Sequence, residues 1–164
     1  GGASSFYSGW MHPLTGLDHL IAMVIVGMLS IRYKEKSVFL LPSIFIFSLS
    51  LASVIAPLIG PISGMEPLIA LSLIAFGFLL YKKHKFNFAM VGIMTGFFAF
   101  FHGYAHGLEL PAGGSSLNFT IGFILTTGIL HFLGAFLAKK IEIRSLVGAF
   151  SILLGFILLI KTGT

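Results

Sequence analysis

Six side chains in this sequence have the types and spacing of a metal-handling centre. His12, Asp18 and His19 sit together in HPLTGLDH, and His102, His106 and Glu109 in FHGYAHGLE. Imidazole nitrogen with carboxylate oxygen is the donor set of a divalent transition-metal site. In a helix, positions 102, 106 and 109 are spaced i, i+4, i+7 and fall on one face. Two of the three can then ligate one ion while the third orients a ligand. His12 and His19, seven apart, are expected to share a face of one helix, with Asp18 placed to bind metal or to accept the second ring N–H of a histidine. Secondary candidates are Glu66, which equally suits the positive end of a helix; His131, an inner station or a packing hydrogen bond; and Met23 and Met94, whose thioethers suit softer ions but also serve as ordinary core. His84, among lysines, reads as a solvated loop residue.

The elements that must hold these groups are membrane helices. The chain is 57% hydrophobic and 9% charged over 164 residues, with a mean hydropathy of +1.04. Soluble domains carry about 25% charged residues, so the composition describes an all-α integral membrane protein with a single membrane domain. Six apolar segments are long enough to span: approximately 13–31, 38–56, 65–81, 88–107, 117–138 and 145–160. Pro13 and Pro67 fit first helical turns. Pro57, Gly60, Pro61 and Gly64 punctuate the second connection. Ionisable groups at membrane depth are costly and mark ion or substrate paths.

Loop charges set the orientation. Arg32, Lys34 and Lys36 follow the first span, Lys82, Lys83 and Lys85 the third, and Lys139, Lys140 and Arg144 the fifth. The N-terminal stretch and the other two connections have no Lys or Arg. The positive-inside rule places both termini on the outer side and the basic loops in the cytoplasm. It also accounts for the formal charge of +5 without nucleic acid. Both histidine clusters and Glu66 then converge at the outer face. The absence of cysteine excludes disulfides and thiolate metal sites. No cleavable signal peptide is expected, because no basic segment precedes the first apolar run. GxxxG pairs at Gly92/Gly96 and Gly103/Gly107 permit close helix packing or self-association into a homo-oligomer.

HPLTGLDHLIAM and FFHGYAHGLELP resemble the two signature segments of the HupE/UreJ family of small nickel permeases. The resemblance covers most of the chain, with Tyr104 standing where many members have a further histidine and no histidine in GGASSFYSGW. It implies a multi-pass protein of the bacterial inner membrane that takes up Ni²⁺, sometimes Co²⁺, as substrate. It carries over His12, Asp18, His19, His102, His106 and Glu109 as the metal-handling residues. No GxxxxGK[ST] motif is present, so a secondary permease without organic cofactor is expected. Zn²⁺ and Cu²⁺ fit the same donors, since affinity at generic N/O sites follows the Irving–Williams order. If neutral histidines bind the ion, uptake should fall as pH drops through about 6.5. Two other readings of the residues stay open: an intramembrane zinc metalloenzyme of the hydrolase type, and a haem protein with His–His ligation.

Overall fold

The computed structural model describes residues 2–33, 37–82, 85–109 and 114–162. Seven helices occupy them: α1 Gly2–Thr15, α2 Leu17–Ser30, α3 Ser37–Ile59, α4 Met65–Tyr81, α5 Phe88–Gly107, α6 Ser116–Leu137 and α7 Ile141–Thr162. No strand occurs among the described residues. Four helices (α3, α5, α6 and α7) are long and apolar enough to cross a membrane, and the bent pair α1–α2 makes a fifth candidate. At 17 residues, α4 is shorter, about 26 Å at 1.5 Å per residue. Lys34, Lys36, Lys83 and His84 lie outside the described residues.

The first expected span is not one straight helix. The chain forms α1 from Gly2, ahead of the expected start at 13, then turns by 81° into α2. Pro13 therefore lies in the last turn of α1, not the first turn of a span. The break falls at Gly16, whose backbone is extended (φ −98°, ψ 112°). Its carbonyl accepts the Leu20 N–H to start α2. A Cβ at Gly16 would lie 2.9 Å from Asp18 Oδ1 and 3.0 Å from His19 Nδ1. Glycine here leaves room for the Asp18–His19 pair.

Downstream of that pair, α2 is apolar on every side and becomes the centre of the bundle. Its residues from Ala22 to Ser30 are all buried, as a helix without a polar face must be. It touches α1, α3, α4, α6 and α7. Around it, α4 packs on α7, α3 on α5, and α6 on both α1 and α2. Small residues set these approaches. A Cβ at Gly103 would strike the Leu49 carbonyl of α3, and one at Gly27 the His131 carbonyl of α6. Gly107 likewise meets Ser53, while Gly92 and Gly96 face Ile44 and Ser48. Both GxxxG pairs of α5 are therefore engaged on α3 within the chain, instead of being left for self-association.

The periphery remains apolar. Phe39, Phe47, Leu58, Ile93, Phe132 and Leu146 point outward, while Phe45 and Phe76 are fully buried. Such a surface is stable only against lipid or a similar apolar phase. One further expectation changes. Pro57 lies inside α3, which runs on to Ile59; the connection proper is turned by Gly60 and Gly64, both at positive φ (94° and 90°). Arg32, counted among the basic residues of the first connection, does more than set orientation. It is buried, and its guanidinium donates to the carbonyls of Leu79, Leu80 and Lys82, closing the C-terminal end of α4.

Candidate metal centre

The bend at Gly16 folds the end of α1 and the start of α2 against the last turn of α5. Four imidazoles meet there. Ring centroids are 4.4 Å apart for His12–His106, 4.3 Å for His19–His106, 4.9 Å for His19–His102 and 6.4 Å for His12–His19. His12 and His19 come together because the chain turns between them, and not through a shared helical face. Glu109 lies beyond the end of α5, which stops at Gly107. The Glu109 N–H bonds the His106 carbonyl at 3.1 Å, returning the carboxylate to the cluster. The C-terminal ends of α1 and α5 both reach this point, and their partial negative charge favours a cation. Asp18, in the first turn of α2, offsets the positive end of that helix.

Exposure falls stepwise across the cluster. Side-chain exposure is 54% at Glu109, 27% at His12 and 12% at His19, and His102 is fully buried. The outermost group is a carboxylate and the innermost a neutral-capable ring. At the outer edge, His12 Nε2 lies 3.0 Å from Glu109 Oε2 and 2.6 Å from His106 Nδ1, which is itself 3.3 Å from Glu109 Oε2. The bonds from His106 and His12 hold the Glu109 carboxyl well below the usual carboxylate range, against the opposing effect of partial burial.

The inner edge is defined by which ring nitrogens are engaged. Asp18 Oδ1 takes both the His19 backbone N–H at 2.9 Å and His19 Nδ1 at 2.7 Å. A carboxylate there fixes the proton on Nδ1 and leaves Nε2 with a lone pair. Ser72 Oγ lies 2.9 Å from His102 Nε2, and its own hydroxyl proton is directed to the Ile69 carbonyl at 2.6 Å. The hydroxyl oxygen must then accept from Nε2–H, which leaves the lone pair on His102 Nδ1. His106 is engaged at Nδ1. The three remaining nitrogens, His19 Nε2, His102 Nδ1 and His106 Nε2, are buried without a protein hydrogen-bond partner. One ring nitrogen from each of these residues lies within 4.8 Å of the others. Buried polar atoms without partners are uncommon. Three clustered histidines, each with one ring nitrogen engaged and the other without a partner, have the form of a metal-ligand set.

The remaining candidates are dispersed. Glu66 is not in either triad, but it lines a cavity of about 370 Å³ with Asp18, His19, His106, Glu109 and Lys161. His131 is buried deep in α6 with neither ring nitrogen bonded, and its ring lies 5.2 Å from that of Phe45. The hydrogen bond expected as one explanation of His131 is not present. Met23 is buried, and its Sδ accepts from the Thr127 hydroxyl at 3.4 Å. Met94 packs against the core. Tyr104, which stands where many members of the resembled family have a further histidine, donates its hydroxyl to the Gly60 carbonyl at 2.6 Å. Sequence reasoning missed Ser72. A serine in an apolar helix carries no distinguishing signal, and 30 positions separate it from His102.

Fold and site together define a multi-helix membrane protein with a partly open histidine–carboxylate centre. A family model described as HupE / UreJ protein matches residues 1–160. The chain is also 35% identical over 137 residues to Protein HupE of Rhizobium leguminosarum bv. viciae, covering 84% of this chain and 72% of that protein. It belongs to the HupE/UreJ family, a metal-transporter family for nickel and cobalt. No solved structure matches it.

Proposed function

We propose that this chain is a secondary transporter that admits divalent transition-metal ions, nickel foremost, across the bacterial inner membrane. The observation that carries the reading is the set of three buried, unpartnered nitrogens on His19, His102 and His106. Nitrogen donors select borderline ions such as Ni²⁺, Co²⁺, Zn²⁺ and Cu²⁺ over Ca²⁺ and Mg²⁺, which prefer all-oxygen shells. Nickel is favoured among them by membership of the family. His12, Asp18, His19, His102, His106 and Glu109 handle the ion. Glu66 contributes charge to the mouth, and His131, one turn from the Thr127 that bonds Met23, provides a polar position further in.

In this reading the chain forms one membrane domain of six spans. The bent pair α1–α2 serves as the first span and α4 as the third, with both termini outside. A helix broken at a binding site is a recurrent device in transporters, because the break frees backbone and side chains to face the substrate. Glu109 and His12 meet the hydrated ion first, and the dry nitrogens of His19 and His102 replace its water. An inside-negative potential drives entry at roughly 4.6 kcal/mol per 100 mV for a dication. The test is uptake of radiolabelled Ni²⁺ into proteoliposomes, with Co²⁺, Zn²⁺ and Cu²⁺ as competitors. Saturable uptake lost in His102→Ala and Asp18→Asn is expected. Absence of uptake, with hydrolytic activity dependent on bound Zn²⁺, would replace this reading with the intramembrane metalloenzyme.

A further inference from the structure

We propose that His106 belongs to two overlapping metal stations, one on each of its ring nitrogens, so that only one can be filled at a time. The outer station is His12 Nε2, Glu109 Oε2 and His106 Nδ1, three atoms lying 2.6–3.3 Å from one another. The inner station comprises His19 and His102 with the remaining nitrogen of the same ring, Nε2, which has no partner. These are the two groups of potential ligands found among the described residues, and His106 is common to both.

Sharing one imidazole has a chemical consequence. A neutral ring has one lone pair and one N–H. With an ion on Nδ1, the proton must sit on Nε2, which then cannot ligate. With an ion on Nε2, the proton sits on Nδ1 and is donated to Glu109. Passage inward therefore breaks the Nδ1–metal bond, forms the Nε2–metal bond and returns the ring proton from Nε2 to Nδ1. Asp18, His19, His106 and Glu109 all line the same cavity, so water carried in with the ion can take the Nε2 proton and supply one to Nδ1, with no net release. The ion moves from the partly exposed rim to the buried triad across a single ring, without a movement of helices. This inference deepens the transport reading and rests on it.

The experiment is equilibrium binding of Ni²⁺ to the purified full chain in nanodiscs, with Co²⁺ absorption reporting ligand geometry. The wild type is expected to bind one ion per chain. His12→Ala and His102→Ala, which each damage one station, should each still bind one ion, with different Co²⁺ spectra. The double variant and His106→Ala should lose at least tenfold in affinity. Two ions bound per wild-type chain, or near-normal affinity in a folded His106→Ala, would overturn the shared ligand while leaving transport intact. No binding of either ion by the wild type would overturn the transport reading as well. A wild-type stoichiometry of two would overturn the shared ligand even if a variant fails to fold.

Discussion

Replacing Ser72 by alanine is a sharp probe of the site, because this serine touches no expected ligand atom. Its oxygen accepts from His102 Nε2–H within a fully buried contact. In Ser72→Ala, either that N–H is left without a partner, or the proton moves to Nδ1 and covers the lone pair that faces His19 and His106. An unpaired buried donor costs about 1–3 kcal/mol. Loss of a group that orients a ligating histidine typically lowers metal affinity about 10–100-fold, or about 1.4–2.7 kcal/mol. Ni²⁺ affinity should therefore fall by that factor. The assay is titration calorimetry, together with ¹⁵N shifts of His102 that report which nitrogen holds the proton. Ser151→Ala is the control: it removes an equally buried hydroxyl that bonds the Leu73 carbonyl and not a histidine. Unchanged affinity and an unchanged His102 tautomer in Ser72→Ala would refute the argument. Equal losses in both variants would reduce it to general destabilisation.

Other outcomes follow from the same geometry. His131→Leu removes two buried, unbonded nitrogens, so melting temperature should hold or rise; if His131 lies on the path, Ni²⁺ uptake should nonetheless fall with affinity unchanged, and undiminished uptake would make it a packing residue. Gly103→Ala puts a methyl into the Leu49 carbonyl and should lower the melting temperature strongly, whereas Gly128→Ala, with open space around it, should not. Arg32→Met leaves carbonyls at the end of α4 unsatisfied and should destabilise by about 1.5–3 kcal/mol; Arg32→Lys should rescue only in part, because a point charge cannot span three acceptors. The Glu109 carboxyl is held low by His106 and His12, so the stabilisation from its pairing is present above the ordinary carboxylate pKa and lost only as pH falls through the depressed value. The melting-point difference between wild type and Glu109→Gln in metal-free protein should persist down to at least pH about 4.3; its disappearance at higher pH would contradict that assignment.

The helical membrane class, the helices at 65–81 and 88–107, and the two histidine clusters were legible in the sequence alone. Those features are local: apolar run length follows from bilayer thickness, and residue type determines which ions a side chain can bind. Tertiary structure decided how the site is assembled. A first span read as one helix placed His12 and His19 on one face through their spacing; the structure breaks it at Gly16 and brings the rings together through an 81° bend. Gly16 looks permissive in the sequence, and only the Asp18–His19 pair packed against it shows why the break falls there. Ser72 likewise gained its role from α4 lying beside α5. The tautomers of His19 and His102, and the two faces of His106, depend on partners up to 94 positions away. No periodicity encodes such pairings, because they exist only once the helices have packed.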